Sequence, residues 1–378
     1  MGNAPLYQRI KAELRAAIAR GEYEPGSPFV TQRELCERYD VSTTTAVKAL
    51  NDLVTEGLLV RQQGRGTFVA ERGPQDSRMS GGAASSIACI AHGVAGPYVS
   101  TMISGVESVC SELGYRMYLA DTARPGESAS PEREANALRE ALDSHAAGIV
   151  LYPVQGHANG DLIMEIQRRG VPLVLVDRYR SDIPTDVVVV DNFTIGYELT
   201  QHLIAAGHTR ILTLWSETDV TSVWDRLSGH VKALQEAGVA VRPEFTLLRN
   251  YLDLPEEGRR AMLRSALEGT EPATAALCSQ GFVVASAAAD LVALGLSVPN
   301  DFELAGMDDE GPFDLLPLTA FAAQLPNREM GATAMRLLAQ RIHEGDKATG
   351  PQRITLPTKV RTRDQTSAHL RVVGGAAS

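Results

Sequence analysis

The sequence has little of what would indicate a metal site, a disulfide framework or a membrane span. Its four cysteines, Cys36, Cys89, Cys110 and Cys278, lie far apart without a CxxC pair, so we expect reduced thiols packed as small hydrophobic groups. No apolar run approaches the roughly 20 residues that cross a bilayer, and the N terminus lacks the basic-then-apolar order of a secretion signal. We therefore expect a cytoplasmic protein with no metal, no cofactor and no membrane partner.

Catalytic motifs and a general excess of basic charge are also missing. The chain has no nucleophile elbow, phosphate loop or metal-ligand spacing, so an enzyme is not expected. The net charge of −10 argues against a protein that coats nucleic acid. Residues 1–72, however, hold ten Lys and Arg against nine Asp and Glu, a net charge of +1 that leaves −11 for the rest. Any DNA contact is therefore expected in this N-terminal segment.

Residues 1–72 have the pattern of three helices followed by two strands. An apolar stripe at helical spacing predicts the first helix, a capping box from Thr31 to Glu34 begins the second, and Ser42 is a good N-cap for the third. Two alternating segments, 58–61 and 67–69, surround a glycine-rich turn and predict a hairpin. This order predicts a winged helix-turn-helix.

This segment resembles the DNA-binding domain of the GntR family. The residues that carry the resemblance are Leu6-Tyr7, Gly21, Pro25-Gly26, Arg33-Glu34-Leu35, Val41-Ser42, Thr45, Ala49-Leu50, Glu56-Gly57-Leu58 and Gly64-Arg65-Gly66-Thr67-Phe68-Val69. The resemblance implies a double-stranded DNA operator as partner. The implied DNA-binding residues are Arg33, Ser42, Thr43, Thr44, Thr45 and Lys48 at the helices and Gly64, Arg65 and Gly66 at the wing.

The recognition helix departs from that family at Thr43 and Val47, where arginines are common. Methyl and hydroxyl contacts from Thr43 and Thr44 would then replace bidentate contacts to guanine, which would suit an unusual operator. The alternative is that these two threonines only cap and solvate the helix.

The rest of the chain alternates strands with helices after a flexible linker at residues 73–85, which is rich in Gly, Ser and Ala. The alternation predicts an α/β body of parallel sheets with helices on both faces, joined to an N-terminal α+β winged helix domain. The pattern includes a strand near Phe245–Leu248 and a last strand over Ile354–Val360, and we expect a disordered tail at residues 367–378.

Polar residues follow several of these strands where each one ends. Asp177-Arg178 follows Val171–Val176, Asp191-Asn192 follows Val187–Val190, and the segment after Ile211–Trp215 leads to Ser222 and Arg226. Ligands of open α/β sheets bind beyond the carboxyl ends of the strands. A small-molecule cleft is therefore predicted at these residues.

The body resembles the ligand-binding core of the LacI/GalR family. Among the residues that carry the resemblance are Gly114-Tyr115, Val171-Pro172, Asp177-Arg178, Asp191-Asn192, Gly207-His208, Arg226, Gly229, Val298-Pro299, Gly306-Met307-Asp308-Asp309, Pro317-Leu318-Thr319 and Leu356-Pro357. The resemblance implies a periplasmic-binding-protein-like fold of two doubly wound parallel-sheet subdomains over residues 86–366. We expect one subdomain to hold 86–184 with 318–343 and the other 185–317 with 344–366.

The expected ligand-binding residues combine this resemblance with side-chain chemistry. The resemblance places a ligand-clamping arginine at Arg226; Asp177, Asp191 and Ser222 can hydrogen-bond sugar hydroxyls, and Tyr98 can stack on a sugar ring. Alternatively, Asp177 pairs with Arg178, Asp191 caps the following helix, Tyr98 is a core residue and Arg226 forms a surface ion pair.

The loop after Cys278 departs from the family, because Gln280-Gly281 stands where an Asn-Asp pair is usual. The missing carboxylate puts a simple hexose or pentose in doubt, and Gln280 could take over part of the polar role.

Together these features predict a ligand-responsive transcriptional regulator. We expect a homodimeric repressor that a small sugar-like effector releases from its operator. The alternatives are a non-sugar effector, an effector that strengthens DNA binding, and a DNA-binding protein that responds to no ligand. A transport receptor would share the body's fold but not the winged helix.

Overall fold

A computed structural model describes residues 6–19, 22–23, 26–55, 58–62, 66–69, 85–123, 129–308, 318–345 and 350–362. The chain divides into two units, residues 1–83 and 84–378, called here the head and the body. The predicted linker, apart from Ser85, and the predicted tail lie outside the described residues.

The head contains the predicted three helices and hairpin. They are α1 (Leu6–Ala19), α2 (Gln32–Tyr39), α3 (Thr43–Thr55), β1 (Leu59–Gln62) and β2 (Gly66–Val69), with the two strands antiparallel. The apolar faces of the three helices meet the hairpin in one core, in which Leu14, Leu35 and Leu53 are almost fully buried.

Side-chain caps fix where the second and third helices of the head begin. In the capping box that begins α2, the Thr31 hydroxyl accepts from the Glu34 backbone N–H at 3.3 Å, and the Glu34 carboxylate accepts from the Thr31 N–H at 2.6 Å. The Ser42 hydroxyl accepts from the Thr45 N–H at 3.4 Å. Both predicted caps are therefore confirmed.

The wing contains one pairing that the sequence pattern did not predict. Residues 26–29 run antiparallel beside β2: the Phe29 N–H donates to the Thr67 carbonyl at 2.8 Å, and Pro28 forms a bridge with Phe68. This edge segment ties the loop before α2 to the hairpin.

The body contains two sheets. The six-stranded sheet, all parallel, has the order β12-β7-β6-β5-β3-β4, and the five-stranded sheet, parallel except for one edge strand, has the order β13-β11-β10-β9-β8. The strands are β3 (Ser86–Ala91), β4 (Arg116–Asp121), β5 (Gly148–Leu151), β6 (Leu173–Val176), β7 (Asp186–Val190), β8 (Ile211–Leu214), β9 (Ala275–Cys278), β10 (Glu303–Gly306), β11 (Phe321–Gln324), β12 (Arg353–Leu356) and β13 (Lys359–Thr362). The inner strands are short apolar runs because helices cover both of their faces.

Within the described ranges of the body, eight helices cover the two sheets. They are α4 (Pro97–Glu112), α5 (Pro131–Asp143), α6 (Gly160–Arg168), α7 (Asn192–Ala205), α8 (Thr221–Glu236), α9 (Glu256–Leu267), α10 (Gly281–Ala293) and α11 (Asn327–Glu344). Lobe one is the six-stranded sheet with α4, α5, α6 and α11, and lobe two is the five-stranded sheet with α7 to α10. Among the described residues, no helix is long and apolar enough to cross a membrane.

The expected subdomain boundaries were wrong at three strands. β7 and β12 were expected in the second subdomain but belong to the sheet of lobe one, and β11 was expected in the first but belongs to the sheet of lobe two. The chain therefore passes between lobes after β7, after β11 and between β12 and β13. An apolar strand pattern shows that a segment is buried in a sheet, but it does not show which of two sheets it joins.

Two predicted strands were also wrong. Residues 245–248 form a turn followed by an irregular segment, and only Asn250 makes a single bridge, to Trp215. The predicted last strand is two strands, because Pro357, which has no N–H to donate to a sheet, lies between β12 and β13.

Each lobe contains a pair of helices that approach each other at reciprocal glycines. In lobe two, a Cβ atom added to Gly196 of α7 would lie 1.9 Å from the Arg226 carbonyl oxygen, and one added to Gly229 of α8 would lie 2.0 Å from the Phe193 oxygen. In lobe one, Gly105 of α4 and Gly331 of α11 face each other's backbones at similarly short distances. Only glycine permits this backbone contact.

Candidate effector cleft and DNA-binding surface

The N-terminal end of α3 presents hydroxyl groups and one lysine at the surface of the head. Ser42, Thr43 and Thr44 are exposed, whereas Thr45 is half-buried with its hydroxyl 2.9 Å from that of Ser42. Lys48 is exposed, and its ammonium lies 4.2 Å from the centroid of the Tyr7 ring. The exposed start of a helix with a nearby cation is the kind of surface that enters a major groove.

Arg33 lies on α2, and its side chain is 89% exposed. Its guanidinium pairs with Glu37 at 3.0 Å, one helical turn away. Exposed pairs of this kind contribute about 0.2–1 kcal/mol, so a DNA phosphate could replace the carboxylate at little cost.

Of the predicted wing residues, Gly66 begins β2 with φ +114°, a conformation that favours glycine. Gly64 and Arg65 lie outside the described residues.

Arg226 lies in the second turn of α8, inside the cleft between the lobes, and is 7% exposed. Its Nε donates to the Asn192 side-chain oxygen at 2.7 Å, and its Nη1 donates to the Ser279 carbonyl at 3.1 Å. Across the described part of the chain, no carboxylate lies within ion-pair distance of this guanidinium. Arg226 is therefore a buried cation held by neutral acceptors rather than part of a surface ion pair.

Tyr98 and Asp177 meet on the lobe-one side of the cleft. The Tyr98 hydroxyl donates a hydrogen bond to the Asp177 carboxylate. Burial is the main cause, and the nearby Asp177 charge the second, that raises the pKa of Tyr98 well above its ordinary value. Asp177 is 4% exposed and has φ +69°, a left-handed conformation that Asp tolerates and that often marks functional sites. Asp177 also contacts the Nε of Arg178 at 3.3 Å, so it pairs with both neighbours.

Arg178 forms an ion pair across the cleft. Its Nη1 and Nη2 donate to the two carboxylate oxygens of Glu217 at 3.1 and 2.8 Å, and its Nη2 is 2.5 Å from the Tyr152 hydroxyl. Arg178 follows β6 in lobe one, whereas Glu217 follows β8 in lobe two. Burial acts to raise the pKa of Glu217, but the Arg178 guanidinium outweighs it and holds that pKa below its ordinary range. This pair therefore joins the two lobes while both groups are charged.

His92 extends this cluster with an imidazole that packs on the Tyr152 ring. The two ring centroids are 4.3 Å apart and nearly parallel. Burial, and next the nearby Arg178 charge, lower the pKa of His92 to about 4, so the ring is neutral at pH 7. Its Nε2 is buried and has no hydrogen-bond partner within the described ranges. A buried polar atom without a partner indicates a place for a water molecule or a ligand group.

The remaining predicted ligand residues have different surroundings. Asp191 caps α7, since its two carboxylate oxygens accept from the Thr194 N–H at 3.0 Å and the Thr194 hydroxyl at 2.8 Å. Ser222 is 6% exposed on the first turn of α8, and Gln280 is half-buried at the start of α10, where its side chain makes no capping bond. The geometry thus favours the capping alternative for Asp191.

A cavity of about 210 Å³ lies at the rim of the cleft. Its lining residues are Pro153, Val154, Gly156, His157 and Arg178–Ser181 of lobe one and Asp219–Thr221 and Trp224 of lobe two. None of the six predicted ligand residues lines it, but Arg178 does. Tyr98, Asp177 and Arg226 instead surround the packed interior beside Arg178, where burial raises the pKa of Tyr98 and the Arg226 charge offsets only a small part of that rise. Arg178 therefore connects the predicted site with the open space.

Sequence reasoning missed several residues of this cluster. Tyr152, Glu217 and Ser279 each follow the end of a strand (β5, β8 and β9), so the same rule that indicated Asp177 could have indicated them. His92 follows β3 in the same way. Arg178 was considered only as the partner of Asp177.

Metal ligands are not clustered anywhere in the part of the chain that the structure describes. The four cysteines are unpaired, with Cys89, Cys110 and Cys278 buried and Cys36 half-buried.

Comparisons with known proteins match both units. Residues 6–69 match the model of the family described as bacterial regulatory proteins, gntR family, and residues 84–363 match that of periplasmic binding proteins and the sugar binding domain of the LacI family. An arabinose metabolism transcriptional repressor of Halalkalibacterium halodurans is 26% identical over 367 residues, 96% of each chain. A repressor of the same description from Geobacillus stearothermophilus is 28% identical over 351 residues, 90% of this chain and 92% of the relative.

A solved structure has the same fold as the body. The complex of the transcriptional regulator CelR with cellobiose superimposes with a TM-score of 0.62 at 24% identity, covering 85% of this chain and 90% of that one. With the cleft between two parallel-sheet lobes and the winged helix head, these matches agree on one architecture. The chain belongs to the LacI-type family of periplasmic binding proteins and sugar binding domains, carries a gntR-family DNA-binding domain at its N-terminal end, and is a ligand-responsive transcriptional regulator.

Proposed function

We propose that this regulator is a repressor, and that a small sugar-like effector bound between the two lobes releases it from its operator. The observation that carries the proposal is Arg226: a buried guanidinium with neutral acceptors, placed where strands of both sheets end. Its free hydrogen-bonding capacity suits adjacent hydroxyls or a carboxylate of a ligand. The names of the two relatives that match along nearly the whole chain support repression as the direction of control and a sugar as the class of effector.

Closure of the cleft is the conformational change that this proposal requires. In the structure the lobes already touch at several points: the Gly156 N–H donates to the Asp219 carbonyl at 2.8 Å, and the Tyr179 N–H donates to the Thr221 hydroxyl at 3.1 Å. An effector that binds the closed body more tightly than the open body would shift the balance between them. Coupling energies of about 1–3 kcal/mol, or 5- to 150-fold in affinity, are typical of such switches.

DNA binding is assigned to the start of α3 and to α2. We propose that Ser42, Thr43, Thr44, Thr45 and Lys48 approach the major groove and that Arg33 contacts a phosphate, with Gly64, Arg65 and Gly66 forming the wing tip. A homodimer would place two such helices on a two-fold symmetric operator, and a change in the pairing of the bodies would change the distance between the heads.

The test is operator binding by the full-length protein, measured on DNA from its own upstream region at fixed salt with a panel of sugars. An effector should weaken operator binding by 5-fold or more. Arg226→Ala should abolish that response while operator affinity without effector stays unchanged, and Arg264→Ala, on the exposed face of α9, is the matched control. Tighter DNA binding with effector would overturn the direction of control. Absence of specific DNA binding would overturn the function itself.

A further inference from the structure

We infer that the effector carries a carboxylate on a hydroxylated carbon chain, and that this carboxylate binds Arg178 in the position that Glu217 holds in the structure. The inference rests on the proposed function, since it names the chemical class of effector for the same cleft. Three features of the described residues carry it: the geometry of the Arg178–Glu217 pair, the balance of charge around it, and the unpartnered nitrogen of His92.

In the Arg178–Glu217 pair, the Glu217 side chain occupies the position that the carboxylate of a bound ligand would take. Two guanidinium nitrogens of Arg178 face two carboxylate oxygens at 3.1 and 2.8 Å, the fork arrangement in which arginine binds carboxylates. The Arg178 side chain is 4% exposed, but that of Glu217 is 24% exposed and comes from the opposite lobe. Because Glu217 is partly exposed, its side chain can turn towards solvent and leave its place to a ligand, whereas Arg178 stays inside lobe one, held by Asp177 and Tyr152.

The balance of charge in the cleft then favours an anion. With Glu217 in place, the guanidinium groups of Arg178 and Arg226 are balanced by the carboxylates of Asp177 and Glu217. Without Glu217, two buried cations face one carboxylate, and that carboxylate already accepts from the Tyr98 hydroxyl. Gln280, at the start of α10, adds no charge. Since an unbalanced buried charge is costly, a ligand carboxylate that replaces Glu217 is favoured over a neutral ligand.

His92 indicates that the carboxylate belongs to a hydroxylated molecule. Its Nε2 is buried without a partner in the residues described, and its ring packs on the same Tyr152 whose hydroxyl contacts Arg178. A neutral imidazole nitrogen accepts from, or in its other tautomer donates to, a hydroxyl group. The cavity of about 210 Å³ that Arg178 helps to line provides space for the rest of such a molecule. A sugar acid has both groups in one small molecule.

The experiment compares acids with their neutral parents by calorimetric titration of the full-length protein. The pairs are D-gluconate and D-glucuronate against D-glucose, D-galactonate against D-galactose, and L-arabinonate against L-arabinose. At least one acid should bind 10-fold or more tightly than its parent. Glu217→Gln should strengthen binding of that acid several-fold, because a competing internal carboxylate is removed. Arg178→Gln should abolish the preference for the acid, and Glu268→Gln, an exposed glutamate on lobe two, should change nothing.

A panel in which no acid exceeds its parent, or a Glu217→Gln protein that binds the acid more weakly, overturns the inference. Operator binding measured in parallel separates this result from the proposed function. If a neutral sugar releases the operator, the proposed function stands and this inference fails. If an acid binds through Arg178 while neither acids nor neutral sugars change operator affinity, the carboxylate contact stands, but the acid's role as effector and the proposed release both fail.

Discussion

Replacing Gly196 by Ala should move Arg226 without touching any polar group of the cleft. Gly196 lies on α7 where the backbone of α8 passes, and an added Cβ atom would lie 1.9 Å from the Arg226 carbonyl oxygen and 2.7 Å from its carbonyl carbon. Ordinary contacts of a Cβ atom begin near 3.4 Å, so the two helices must separate by about 1.5 Å. Because the obstructing atoms are backbone, no side chain can rotate away to relieve the contact.

Two opposing effects set the expected change in stability. Alanine favours the helix over glycine by about 1 kcal/mol. Overpacking in a rigid interior typically costs about 1–3 kcal/mol and sometimes more, and a clash between backbones belongs at the upper end. We therefore expect the free energy of unfolding of the body to fall by about 2 kcal/mol. A domain of 150–250 residues loses about 2–4 °C in Tm per kcal/mol and the loss becomes smaller with size, so the larger body should lose about 4 °C or somewhat less.

The effector response of Gly196→Ala should weaken more than its stability suggests. Arg226 is held at 2.7 Å from Asn192 and 3.1 Å from the Ser279 carbonyl, and a shift of its helix breaks one or both hydrogen bonds. A hydrogen bond to a charged group contributes about 1.5–3 kcal/mol, so the effector concentration needed for release should rise roughly tenfold or more.

Thermal unfolding and operator release are measured for Gly196→Ala beside Gly269→Ala, whose nearest neighbouring atom is 4.0 Å away. The control should match the parent protein in both assays, and both variants should bind operator as the parent does without effector. A Gly196→Ala protein that is more stable than the parent, with an unchanged response, would refute the claim that this helix contact positions Arg226.

Two further predictions concern the head and the core of lobe two. Arg33→Ala should weaken binding to operator and to unrelated DNA by a similar factor, and should reduce the slope of log K against log salt by about 1, measured by fluorescence anisotropy; a loss confined to operator would contradict a phosphate contact. Burial lowers the pKa of His230 from about 6.5 to about 4, so between these values the unfolded chain binds a proton that the folded chain does not, and stability falls with falling pH by about 1.4 kcal/mol per unit. His230→Gln should flatten this part of the pH–stability curve, and an unchanged slope would show that other groups cause the acid lability.

Local sequence signals predicted most of the secondary structure because the causes are local. The caps at Thr31 and Ser42 and the buried runs of β5, β6 and β9 depend on neighbouring residues alone. Assignment of β7, β11 and β12 to their sheets depends on long-range pairing, which periodicity does not encode. The turn at 245–248 has the apolar composition of a strand, yet Phe245 is buried as the side chain of a loop that packs on lobe two.

From the sequence, only those cleft residues could be predicted that follow the ends of strands or that the family resemblance indicates. The rule that ligands bind beyond carboxyl ends, with the family resemblance, located Asp177 and Arg226, and the structure brings both into the same interior with Tyr98. The strand-end rule did not predict the contact of Glu217, in lobe two, with Arg178, in lobe one, because this contact depends on how far the lobes close. The sequence around Asp191 was equally compatible with ligand binding and with capping of α7, and only the distances to Thr194 show that it caps the helix.

The three passages of the chain between the lobes have a consequence for how a signal leaves the body. In chain order, the first described strand of the body after the head is β3, which belongs to lobe one. Closing the cleft moves lobe two relative to lobe one but leaves the point of covalent attachment where it was. A head tethered in this way cannot sense closure along its own chain. In the homodimer proposed above, the signal would pass through the face that one body offers to the second copy.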